Sequence, residues 1–183
     1  MISSEGSCPE KFEDWHPNSI YCYLFKTGDD MKSWDDAKTF CKDAGGNLAS
    51  EHTKQERNYI VDKLKAMENQ AHTWIGLRGP EDQGKKMIVF QSFITVSSNF
   101  YYTIIHLAVF IILMFIYLDD RKDPKNWKWT DDSSMSYKDW DEGEPSANGR
   151  CGYMRPENSY TWDDCGCDLK QAFLCKIMKG VIV

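Results

Sequence analysis

The sequence predicts an α+β domain held together by disulfides. Three observations predict it. Two capped, amphipathic segments stand one after the other in the first seventy residues. β-prone runs lie near both ends of the chain and directly after the second of those segments. Seven cysteines, at 8, 22, 41, 151, 165, 167 and 175, are spread from one end to the other. They show no CxxC pair and no zinc spacing, so they read as disulfides formed in an oxidising compartment, with one thiol left over.

Taken in order, residues 1–32 read as an N-terminal arm. In "CPEKFEDWHPNSIYCYLFKTG" a Pro-Asn turn precedes the aromatic run 21–25, the pattern of a hairpin, and a Cys8–Cys22 bond would suit it. "SWDDAKTFCKDAGG" predicts a helix. Ser33 is the N-cap, Asp36 completes a weak capping box, and Gly45 and Gly46 supply the stop. Trp34, Ala37, Cys41 and Ala44 fall on one face, read as core. "TKQERNYIVDKLKAMENQ" predicts a second helix, with Thr53 and Glu56 as a full capping box and Ile60, Leu64 and Met67 as its apolar stripe. "HTWIGL" is a short strand ending at Leu77. "AFLCKIMKGVIV" reads as a buried strand around Cys175. The acidic doublets Asp29/Asp30 and Asp131/Asp132 read as solvated turns.

The chain has 183 residues, enough for one domain with a real core. A net charge of −6 argues against a nucleic-acid partner held through phosphates. Seven tryptophans imply an aromatic core, a carbohydrate-facing surface, or both. The start "MISSEGSCPE" has no basic n-region and no apolar h-region, so secretion requires a leader outside this sequence. His16, His52, His72 and His106 are scattered. No HExxH, GxSxG or phosphate loop occurs, so an enzyme is not expected.

The texture changes in the middle. Residues 87–118 contain no Asp, Glu, Lys or Arg. Within them "FYYTIIHLAVFIILMFIYL" is long and apolar enough for a membrane helix.

"CP…W…CYLF", "AKTFCKDAGGNLAS", "WIGL", "WKWTDD", "YKDW…GEP" and "TWDD…C…FLCK" stand in one order. In that order they resemble the C-type lectin-like domain, over about 8–77 and 119–176. The resemblance implies two helices, two small antiparallel sheets and a long loop region that carries the ligand site, all in one domain over 1–183. It implies the pairs Cys41–Cys175 and Cys151–Cys167, with Cys8–Cys22 as the hairpin bond of the family's long form. Cys165 is then odd. It is either a shielded free thiol or a bond to a second chain, giving a dimer.

The family's site joins a Glu-Pro-Asn stretch, with a cis bond before the proline, to a Trp-Asn-Asp stretch. Both surround a calcium ion, and two sugar hydroxyls complete its shell. Here the matching residues are Glu144, Ser146, Asp163 and Asp164, expected to serve both metal and carbohydrate. Ser146 replaces the asparagine of the first stretch and Asp163 that of the second. Gly149 falls where a further glutamate is usual. A second calcium site is not supported: Asp120 would match one ligand, but Pro124 stands in place of another.

The expectation is therefore a secreted, calcium-dependent lectin for glycans on cell or microbial surfaces, with a slight lean to mannose-type diols. The alternative is a lectin-like domain that binds protein or lipid without calcium. Residues 78–118 have no counterpart in the family. A single membrane span there would put Cys41 and Cys175 on opposite sides of the bilayer, so the fold excludes it. The segment is either an apolar excursion on the flank of the domain or the product of a mis-spliced message.

Overall fold

In the computed structural model, residues 7–16, 19–68, 70–81 and 120–180 are described. Strand β1 (Glu13–Asp14) leads into β2 (Tyr21–Lys26). Helix α1 (Trp34–Asp43), strand β3 (Asn47–Leu48), helix α2 (Lys54–Ala66) and strand β4 (Thr73–Arg78) follow. The last third holds β5 (Lys128–Trp129), β6 (Cys151–Arg155), β7 (Thr161–Cys165) and β8 (Ala172–Met178).

Helix α1 forms where its caps predict. Ser33 Oγ accepts from the Asp36 amide at 3.2 Å. Gly45 adopts φ +85°, a conformation that favours glycine. Its amide donates to Lys42 O at 2.9 Å, and the Gly46 amide to Cys41 O at 2.9 Å. These two bonds satisfy carbonyls that the helix end would otherwise orphan.

In α2, Thr53 Oγ1 accepts from the Glu56 amide at 3.1 Å, but the reciprocal half of the box differs from expectation. The Glu56 carboxylate accepts from the His52 amide at 2.8 Å, one residue before the cap. Its other oxygen takes Lys176 Nζ at 2.6 Å and the Tyr23 hydroxyl. Lys176 is buried, and a buried ammonium needs a carboxylate more than a helix end does. Ile60 and Leu64 are buried as expected. Met67 lies past the helix end and is 43% exposed; Val61 takes its place in the core.

The strands run β1-β2-β8-β4-β6-β7, with β3 on β8 and β5 on β4. All pairings are antiparallel except β4–β8, where Thr73 faces Ala172 and Trp74 faces Phe173 in parallel. The two antiparallel groups are thus joined by a short parallel seam. Strand β8, from the end of the chain, pairs with β2, β3 and β4, which brings the early and late segments into one body. The Cys41–Cys175 disulfide, across a separation of 134 residues, locks that closure. Loop-closure entropy makes it worth about 5 kcal/mol. Cys8–Cys22 and Cys151–Cys167 also form as the resemblance implies, and Cys165 is free.

Five tryptophans, Trp34, Trp74, Trp127, Trp129 and Trp162, are at most 2% exposed. Four of their indole N–H groups find internal acceptors: Ile75 O, Lys32 O, Arg121 O and the Glu51 carboxyl. Most of the tryptophan in this chain is therefore core. Asp131 corrects another expectation. Rather than lying in a solvated turn, it is half-buried and accepts from Ser50 Oγ at 2.5 Å and the Ser133 amide at 3.0 Å.

Among the described residues no helix is long and apolar enough to cross a membrane. Of the inserted segment 78–118, Arg78 closes β4 and 79–81 follow it. The apolar run itself, and with it the choice between excursion and artefact, lies outside the described residues.

Candidate metal and ligand site

Strands β6 and β7 form an antiparallel pair in which Tyr153 faces Asp163 and Gly152 faces Asp164. The Cys151–Cys167 bond ties their open end. Trp162 anchors β7 from below. Its indole donates to Glu51 at 3.0 Å, and its ring meets Trp129 edge-on at 5.2 Å between centroids. The loop before β6 is pinned to this strand: the Asp141 amide donates to Trp162 O at 2.9 Å and the Glu144 amide to Asp141 O at 3.1 Å. The Glu144–Pro145 bond is cis.

Two remote stretches of sequence thereby meet. Glu144, Asp163 and Asp164 each bring a carboxylate oxygen to within 4.8 Å of the others. For a cation about 2.4 Å from each ligand, two ligands lie at most about 4.8 Å apart, so the spacing suits a common ion. Asp163 and Asp164 are buried, at 4% and 1% exposure. Glu142, adjacent in sequence, is exposed and outside the cluster.

A carboxylate offers about four lone pairs, and the hydrogen bonds here leave a definite remainder. Asp164 Oδ1 accepts from the amides of Ser146 at 2.7 Å and Ala147 at 3.2 Å, and Oδ2 from that of Gly149 at 2.7 Å. Glu144 Oε2 takes the Ser146 amide at 2.6 Å. Asp163 Oδ1 takes the Asp164 amide at 2.5 Å. Asp163 Oδ2 is saturated by the Tyr153 hydroxyl at 2.9 Å and Arg155 Nη1 at 2.8 Å. Lone pairs remain on Glu144, on Asp163 Oδ1 and on Asp164 Oδ2. Ser146 Oγ is a buried atom, and its side chain lies against the Glu144 carboxylate and favours its charged form. Glu144, Asp163 and Asp164 thus converge with unused oxygen capacity, and the Ser146 amide donates to two of them.

Electrostatics agree. Burial pushes the Glu144 carboxyl up, against the pull of hydrogen bonds from Ser146, and the Asp163 carboxylate beside it adds to the rise. Burial likewise raises Asp164, against the pull of its three amide donors. Arg155 compensates one of the three acids, leaving the others to a proton or an added cation.

Gly149 explains the position where the family carries a glutamate. A Cβ there would lie 1.8 Å from Cys165 O, so no side chain fits without moving β7. Cys165 itself is half-buried and accepts weakly from Gln171 Nε2 at 3.4 Å; burial pushes its thiol up to about 12.

Three participants escape a reading of the sequence alone. Tyr153 and Arg155 meet Asp163 only through the strand register. Glu51 lies beneath Trp162, over a hundred residues away in the chain. The alternation of Tyr153 and Arg155 along one strand face was the available signal.

Fold and site together define a binding domain of the C-type lectin kind. The family profile described as "Lectin C-type domain" matches residues 30–105 and 110–177. The chain belongs to that family. It is 29% identical over 182 residues to the C-type lectin lectoxin-Lio1 of Erythrolamprus poecilogyrus, covering 96% of this chain and 85% of that protein. It is 27% identical over 179 residues to a "C-type lectin mannose-binding isoform" of Notechis scutatus scutatus, covering 92% and 82%. Human lithostathine superposes with a TM-score of 0.64 at 25% identity, over 94% of this chain and all of that one. A calcium-independent type II antifreeze protein shares the fold, with a TM-score of 0.62 at 21% identity, over 95% of this chain and 96% of that one.

Proposed function

We propose that this domain binds glycans through a calcium ion held between the cis-proline loop and strand β7. The observation that carries the reading is the convergence of Glu144, Asp163 and Asp164 within 4.8 Å. Ser146 supports it, because its buried side chain lies against Glu144 and adds a further oxygen beside the carboxylates. Calcium takes six to eight oxygens. Three carboxylates with free lone pairs, and the Ser146 side chain against one of them, leave positions for two neighbouring sugar hydroxyls. When bound, the ion would supply a Lewis acid that holds a vicinal diol. The side chains would orient that diol by accepting its hydroxyl protons. The Glu-Pro pair leans slightly towards mannose-type diols. Three disulfides fit secretion and partners on cell or microbial surfaces.

One test combines calorimetric titration with calcium chloride and a glycan array read with and without EDTA. Binding in the range of about 0.1–1 mM is expected, as in extracellular calcium modules. Glu144→Gln is the informative variant, since it removes a charge yet can still accept the Ser146 amide. Asp164→Ala would also release three backbone amides and so report on loop collapse. No heat with calcium, and a glycan signal indifferent to EDTA, would refute the proposal.

The second reading, a domain that binds protein or lipid without metal, is favoured by the Arg155–Asp163 pair. This supplies a cation from the protein itself at 2.8 Å. Retention of a protein or lipid ligand in EDTA would select it.

A further inference from the structure

Arg155 stands out because it is a fixed cation placed against a buried acid of the candidate metal site. Its Nη1 lies 2.8 Å from Asp163 Oδ2. The arginine side chain is 27% exposed, whereas that of Asp163 is 6% exposed. The guanidinium therefore approaches from the solvent side and is the partner free to move. It also has other acids to hold. Asp141 Oδ2 is 3.7 Å from Nη1, and Glu157 Oε1 is 3.3 Å from Nε. Releasing Asp163 would not leave the arginine unpaired. A guanidinium stays charged at every accessible pH, so it cannot make way by losing a proton. While seated, it holds one oxygen of Asp163 and neutralises one of three charges.

We propose that Arg155 is a built-in competitor for the divalent cation at this site. With no ion bound, it compensates Asp163 and bridges β7 to Asp141 at the base of the cis-proline loop. When an ion binds, its attraction to Asp163 weakens in favour of Asp141 and Glu157. Arg155 thus acts through Asp163 as an affinity-setting residue, keeping calcium binding weak and readily reversible. This inference rests on the calcium reading above.

The test measures calcium affinity by calorimetry and, independently, terbium binding through luminescence sensitised by Trp162. Arg155→Gln is expected to bind calcium on the order of tenfold more tightly, equivalent to about 1.4 kcal/mol. Arg155→Lys keeps the charge and is expected to stay within about threefold of the parent. A second measurement needs no variant. In the unmodified protein, the arginine Nε–H resonance of Arg155 should shift on adding calcium, with the same midpoint as the Trp162 indole signal. If Arg155→Gln, folded by near-ultraviolet circular dichroism, binds calcium no better than the parent, the inference falls. It also falls if calcium binds while the Arg155 resonance stays still. If neither protein binds calcium or terbium, the calcium reading fails and takes the inference with it. Binding by Arg155→Gln alone would support the competition in its strongest form.

Discussion

Glu51 should make this fold less stable as pH rises, and Glu51→Gln should remove that dependence. The side chain is fully buried, with one oxygen accepting from the Trp162 indole at 3.0 Å and the other without a partner among the described residues. Burial pushes its carboxyl from 4.5 up to about 8, against the smaller pull of the Trp162 hydrogen bond. At neutral pH the folded protein keeps a proton on Glu51 that the unfolded chain releases. Stability from this group is therefore full below about pH 4.5, declines as pH rises to about 8, and is level beyond. At about 1.36 kcal/mol per unit, the whole decline is on the order of 5 kcal/mol. The amide side chain of the variant would retain a carbonyl for the indole and has no proton to lose. The assay is urea unfolding followed by tryptophan fluorescence, disulfides intact, at several pH values from about 5 to about 9. The quantity of interest is the difference between parent and variant, since other groups titrate in both. That difference should shift in favour of the variant by several kcal/mol across the range. Parallel stability curves, agreeing within about 1 kcal/mol, would refute the assignment of a neutral buried acid.

Gly149→Ala should cost about 3 kcal/mol, because its methyl group would meet the backbone oxygen of Cys165 rather than a side chain that could turn aside. Thermal melts would measure this, and a loss under about 1 kcal/mol would mean the loop yields easily. Cys165 should resist alkylation by iodoacetamide in the native protein and react once unfolded, since burial keeps it a thiol. Rapid native labelling, or a reducible dimer on electrophoresis, would show the thiol to be available to a second chain.

Much of the architecture was legible along the chain because its causes are local. Ser33 and Thr53 sit at the caps their residue types predict, and Gly45 stops α1 through its positive φ. Gly46 instead answers a tertiary demand, since a Cβ there would lie 2.4 Å from Lys176 O in β8. The apolar stripe of α1 is visible at helical spacing. Strands β5, β6 and β7 were harder, since they are short and their burial comes from neighbours rather than from alternation. Glu56 shows where local rules give way. Its position promised a reciprocal cap, and the demand of a buried Lys176 redirected it.

For the site, the residue types were readable in sequence: a glutamate before a proline, and two aspartates after a tryptophan. Their convergence came only from the family resemblance, since residue types alone carry no distance; the β6–β7 register and the Cys151–Cys167 bond hold the two stretches together. The departures found their reasons only in three dimensions. Gly149 is bare because β7 leaves no room beside Cys165, and Asp163 is tolerated because Arg155 lies across the hairpin. Composition and spacing specify which groups a chain can offer and which helices will start and stop. Only tertiary packing sets how near those groups come and how little water surrounds them. Distance and solvation decide whether neighbouring acids merely repel or together make a seat for a cation.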